Sequence, residues 1–224
     1  MQSGVFLENC LASKSPEILG HGGLQKSPYG LPWYSQPTRE SSTSGKIVKS
    51  ISKTADMNRL ILLVAQGLGT GLSPKAPGTI GTFLGIPLLV LLLLPKSLIF
   101  FVVMMLLASI ASVYFCSQAE IILGQADPAS VVIDEIIAVP ACFSGWITAI
   151  YFSTGKMPDW SYFFSSVNVM WSFGIILLFR IFDIIKPWPI GQSQELPSGW
   201  GVTIDDLLAA LYVNVIVGLF ALLF

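Results

Sequence analysis

One histidine, His21, serves the whole chain, and it lies in a polar stretch near the start. A histidine nucleophile or a Ser–His pair inside an apolar core is therefore excluded. The three cysteines, Cys10, Cys116 and Cys142, show no paired spacing, and no arginine-bearing loop follows the last two. That argues against a disulfide framework, a thiolate metal site and a cysteine phosphatase; Cys116 and Cys142, set in apolar runs, read as core thiols. Charge is scarce: 11% of the residues are charged, where a soluble domain carries about 25%. The net charge of −1 offers nucleic acid no basic surface. No apolar stretch follows the first residues, so a secretory signal peptide is not expected.

What the chain has instead is apolar sequence, 53% of its residues, with a mean hydropathy of +0.72. Residues 1–55 stand apart as a Ser/Pro/Gly-rich polar extension, expected to be disordered. A transit peptide is a weak reading of it, because Glu8, Glu17 and Glu40 interrupt and arginine is nearly missing. Basic residues then gather at Lys46, Lys49, Lys53 and Arg59. From residue 56 onward the pattern predicts an all-α integral membrane bundle of about four to five apolar helices. A short segment, 59–68, cannot span a bilayer. Apolar runs follow at 80–94, 97–117, 131–153 (interrupted by Pro140), 161–182 and 204–224. A spanning helix needs about 20 apolar residues, and four of these runs come near that.

Threading those runs alternately through a bilayer puts ten of the twelve basic residues on one side, all but Lys96 and Lys156. Twelve of the thirteen acids share that side, with Asp159 the exception. The positive-inside rule makes it the cytoplasmic side. The same weave delivers four polar groups to one membrane face: the loop GTGLSPKAPGTIGT, Asp134-Glu135, the Arg180–Asp183–Lys186 series and Asp205-Asp206. Charges are costly at mid-bilayer, so a shared interface is where they can meet each other and water.

Each group has two readings. Asp127-Pro128 resembles an N-cap followed by proline at the first helical position, which would put Asp134 and Glu135 about 10 Å along the helix. They are then either a solvated interfacial turn or metal ligands and a general base. Thr203-Ile-Asp-Asp resembles a cap with Asp205 and Asp206 in the first helical turn, favoured by the helix dipole; the alternative is a place in the acid cluster. Arg180, Asp183 and Lys186 share a helix face as an ion-pair ladder or as a clamp, with the two cations on phosphate oxygens and Asp183 on a metal. The glycine loop is a tight turn or an anion seat, where Ser73, Lys75, Thr79 and Thr82 add donors. Carboxylates with two cations and no histidine suit Mg²⁺ and attack of water on phosphorus.

Four ordered blocks, GLGTGLSPKAPGTIGT, VVIDEIIAVP, FRIFDIIKPWPI and GWGVTIDDLLAA, resemble the sequential motifs of the phosphatidylglycerophosphatase A family over roughly residues 58–216. The resemblance implies a helical, Mg²⁺-dependent enzyme of the bacterial inner membrane, its active face cytoplasmic, converting phosphatidylglycerophosphate to phosphatidylglycerol. It places Asp134, Glu135, Asp183, Asp205 and Asp206 on motif carboxylates and Arg180 and Lys186 on motif cations. The division of the acids between metal and substrate stays open, as does the number of ions. Competing classes are an ion-coupled transporter, which would carry charges near mid-span, and a nucleotide-using head-group transferase, which would need a denser Asp/Gly signature on one helix.

Overall fold

The glycine-rich loop at 67–82 sets the first break in the fold. Helix α1, Ser41–Ala65, ends where Gly67, Leu68 and Gly69 take positive φ values, and a 3-10 turn covers Gly67–Leu72. The computed structural model describes residues 41–223. The expected extension therefore lies largely outside the described residues, but helix α1 begins at Ser41, inside the stretch read as unstructured. Residues 48–224 form one compact unit.

Helix α2, Pro77–Leu93, starts on a proline, whose missing N–H costs nothing at that position. Helix α3, Leu98–Leu123, is capped by Ser97, whose side chain accepts from the Phe100 amide at 3.3 Å, and stops at left-handed Gly124. Helix α4, Ile133–Thr154, stops at left-handed Gly155. Two short helices, α5 (Trp160–Phe163) and α7 (Ile190–Ser193), bracket α6 (Val169–Ile185), and α8 runs Gly199–Leu223. Among the described residues no strand is present. Helices α3, α4 and α8 are long and apolar enough to cross a membrane, and α2 is a shorter apolar helix. The fold is an all-helical membrane bundle.

Three boundaries differ from the sequence reading. The run 161–182 is not one helix. Asn168 Nδ2 donates to the Tyr162 carbonyl at 3.0 Å and Ser172 Oγ to the Phe163 carbonyl at 2.7 Å, so side chains take over backbone partners and break it. Asp127-Pro128 does not open α4. Asp127 is left-handed (φ 46°), the Val132 amide donates to the end of α1 at Ala65, and the helix begins at Ile133. Nor does Thr203 cap α8, which starts four residues earlier at Gly199. Thr203 instead shares a 2.9 Å hydrogen bond with Ser112 on α3.

Close backbone approaches hold the bundle. Gly81 and Gly85 bring α2 against α4, where a Cβ on Gly85 would come within 2.6 Å of the Ile136 carbonyl. Pro140 has no N–H, and that is the carbonyl it leaves without its usual partner. Small residues at such crossings are how helices pack where lipid removes the hydrophobic drive. Asn214 on α8 then locks α4. Its Nδ2 donates to the carbonyls of Ala141 (2.9 Å) and Ala210 (2.8 Å), and its Oδ1 accepts from the Gly145 amide at 2.8 Å.

Candidate active site

These helix starts and ends converge on one cavity of about 340 Å³. Its walls are the start of α2 (Ala76, Pro77, Gly78, Thr79), the start of α4 (Asp134, Glu135), the end of α6 (Arg180, Asp183, Lys186) and the second turn of α8 (Asp205, Asp206). Three residues on its wall, Ala76 (φ 47°), Asp127 (φ 46°) and Lys186 (φ 48°), take the left-handed backbone that suits glycine. Strained backbone of this kind concentrates where a site must be held in one shape.

The seven charged residues expected at the site do come together. Arg180 Nη1 lies 2.7 Å from Asp183 Oδ2 and 3.9 Å from Glu135 Oε1. Lys186 Nζ donates to Asp205 Oδ2 at 2.6 Å. Asp134, Asp205 and Asp206 are buried, and Glu135 and Asp183 nearly so. Thr79 also lines the cavity. Ser73 and Lys75 do not: the Ser73 hydroxyl donates to the Lys75 carbonyl at 3.0 Å, and Lys75 is exposed. Thr82 is buried and spends its hydroxyl on the Gly78 carbonyl at 2.8 Å. Of the four donors expected along the glycine loop, only Thr79 lines the cavity.

Sequence reasoning missed Asp127 and Gly78. Asp127 carries the sequence signature of a cap but is an exposed residue on the cavity wall. Gly78 is buried, and a Cβ there would collide with Glu135 Oε1 and lie 3.1 Å from Arg180 Nη2. A side chain at position 78 would have to push the Glu135 carboxylate aside. The signal was present as the Pro-Gly-Thr that opens an apolar run.

The donor set fits a hard cation. Asp134, Glu135 and Asp206 each offer an oxygen, all within 4.8 Å of one another. Glu135 Oε2 and Asp206 Oδ2 are buried with no hydrogen-bond partner among the described residues. Buried lone pairs left unmatched are costly, and three carboxylates at this range repel one another unless a cation or a proton joins them. Oxygen-only donors suit Mg²⁺ rather than a softer metal. Lys186, just past the end of α6, is held protonated: burial pulls its pKa down, but the hydrogen bond to Asp205 and the charges of Asp205, Asp183 and Asp206 outweigh burial and raise it.

An apolar bundle with a single-ended pocket of carboxylates and two cations is the build of an integral membrane enzyme acting on an anionic group. Comparison with known proteins makes this specific. Residues 63–221 match the family model described as phosphatidylglycerophosphatase A. A Haemophilus influenzae protein of that name is 35% identical over 162 residues, 70% of this chain and 86% of that protein. An Escherichia coli protein of the same name is 36% identical over 151 residues, 66% of this chain and 76% of that protein. A Bacteroides thetaiotaomicron protein, 32% identical over 165 residues, 70% of this chain and 91% of its own length, carries a provisional name, phosphatidylinositol-3-phosphatase. No solved structure matches significantly. The chain belongs to the phosphatidylglycerophosphatase A family and is a phosphoric monoester hydrolase.

Proposed function

We propose that the protein removes the terminal phosphate of phosphatidylglycerophosphate, giving phosphatidylglycerol, with Mg²⁺ as its cofactor. The observation that carries this is the pairing, in one cavity, of three converging carboxylates with two cations on the adjoining wall. Asp134, Glu135 and Asp206 would hold the ion. When bound, Mg²⁺ supplies neutralisation of the phosphoryl charge and a water of lowered pKa. Arg180 and Lys186 take the non-bridging phosphate oxygens. The start of α2 adds to this seat: its first N–H groups have no intrahelical partner, Ala76 brings no capping side chain, and the Thr79 hydroxyl lies beside them.

Water oxygen attacks phosphorus as the bond from phosphorus to the glycerol oxygen breaks. A carboxylate oxygen of Glu135 or Asp206 accepts the proton that water loses, and the departing alkoxide takes up that same proton, restoring the carboxylate. No atoms remain on the protein in this direct route. The apolar helices keep the diacyl tails in the bilayer while the head group enters the pocket. The one-sided distribution of basic residues supports a cytoplasmic face, and the bacterial relatives support an inner-membrane location.

The test is phosphate release by the purified protein in detergent, with and without Mg²⁺ and EDTA. The substrates are phosphatidylglycerophosphate, phosphatidic acid and phosphatidylinositol 3-phosphate. Fastest release from the first, abolished by EDTA and restored by Mg²⁺, is expected. Release from none of the three overturns the proposal, and a clear preference for the third moves the substrate assignment to the inositol lipid.

A further inference from the structure

Asp205 and Asp206 are neighbours in sequence, yet their carboxylates keep different company. Both oxygens of Asp205 are engaged: Oδ2 accepts from Lys186 Nζ at 2.6 Å and Oδ1 from the Asp206 amide at 2.9 Å. Asp206 Oδ2 has no partner among the described residues, although the residue is only 3% exposed. It is Asp206 that groups with Asp134 and Glu135. Each Asp205 oxygen already accepts one donor, one of them a cation, whereas Asp206 Oδ2 keeps all its lone pairs for an ion.

The backbone at Lys186 gives a second argument. Lys186 ends α6 in the left-handed region, at φ 48° and ψ 58°. Glycine is the usual residue at that position, because a Cβ is unfavourable there. Pro187 follows and prevents the helix from continuing. This turn brings the lysine back over the start of α8, with its side chain 27% exposed and that of Asp205 4% exposed. The ammonium thus faces the open side of the cavity, and the carboxylate beneath it is closed off.

We infer that Asp205 is a positioning residue, which holds the Lys186 ammonium over the cavity as a phosphate-binding cation and leaves the metal ion to Asp134, Glu135 and Asp206. The inference rests on the lipid-phosphatase reading of this cavity and divides duties that two adjacent acids would otherwise share. Without Asp205, the lysine loses its anchor and samples other rotamers, so phosphate binding suffers while the ion's ligands remain.

The full-length protein in detergent tests this with two binding measurements that need no turnover. Mn²⁺ binding is read by electron paramagnetic resonance of the free ion, and orthophosphate binding by phosphorus NMR titration. Asp205→Asn should keep the wild-type Mn²⁺ affinity and bind orthophosphate roughly tenfold more weakly, the scale of one charge-assisted contact. Asp206→Asn, nearly the same shape, should lose at least about tenfold in Mn²⁺ affinity. Lys186→Gln should weaken orthophosphate as Asp205→Asn does, and the double variant should be no weaker than Lys186→Gln alone. If Asp205→Asn loses Mn²⁺ as Asp206→Asn does, or if its orthophosphate binding equals that of the wild type, the inference is overturned. Failure of the wild type to bind orthophosphate overturns it too. Failure to hydrolyse any lipid phosphomonoester, with these binding results intact, would sink the proposed reaction alone.

Discussion

Gly78 on α2 and Glu135 on α4 are packed so closely that a single added carbon on the glycine would strike the glutamate's Oε1. The same carbon would sit 3.1 Å from Arg180 Nη2. Any side chain at position 78 must therefore displace the Glu135 carboxylate, and with it the neighbouring guanidinium.

Gly78→Ala should lower kcat/KM by about 100-fold, the scale of an ångström-sized misplacement of catalytic groups. Alanine is otherwise the better helix residue, so the melting temperature should change little. Gly174→Ala on α6 is the control. Among the described residues nothing lies within 4 Å of its added carbon, and it should be neutral or stabilise by about 0.5–1 kcal/mol. Wild-type kinetics in Gly78→Ala would show that the contact is incidental.

Arg180→Lys keeps the charge and loses the fork. Arg180 pairs with Asp183, approaches Glu135, and keeps a buried Nε with no hydrogen-bond partner among the described residues. A lysine cannot span two carboxylates and a phosphate oxygen at once. A fall in kcat/KM of about 10–100-fold is expected from losing one charge-assisted bond. Steady-state kinetics on lipid micelles would measure it, and a variant as active as the wild type would remove Arg180 from the phosphate seat.

Asn214→Ala tests the link between α4 and α8. Three hydrogen bonds disappear, two of them to α4 at Ala141 and Gly145 and one within α8 to Ala210. Interhelical polar contacts in membrane proteins are worth about 0.6–2 kcal/mol, so a loss in that range is expected. Thermal unfolding in detergent reads it; an unchanged melting temperature would assign the bundle's stability to packing alone.

The Lys186–Asp205 pair sets a pH dependence. The lysine's pKa is raised above 10.5 in the folded chain. A raised value means that the pair's contribution to stability is whole below the ordinary lysine pKa and is lost only as pH climbs through the higher folded value. The gap in melting temperature between wild type and Lys186→Gln should stay flat through neutral pH and close only above pH 10.5. A gap that closes near neutrality would contradict the pairing.

Much of the site could be read from the chain. The clustering of Arg180, Asp183, Lys186, Asp205 and Asp206 in a protein nearly free of charge was visible, and alternate threading of apolar runs brought Asp134 and Glu135 to them. The helix starts were less legible. Asp127-Pro128 and Thr203 carry good capping chemistry, yet a backbone bond from Val132 to Ala65 and a hydroxyl pair between Thr203 and Ser112 claimed those positions. Local propensity cannot anticipate a partner 67 or 91 residues away.

The sequence alone determined that this is a helical membrane protein with most of its charges outside the apolar runs, because an apolar run must hydrogen-bond internally and a charge must avoid the bilayer centre. Tertiary structure decided which acid faces which partner. Asp205 meets a lysine and Asp206 groups with Asp134 and Glu135 because helix rotation and the left-handed turn at Lys186 direct those side chains. No one-dimensional pattern carries that angle.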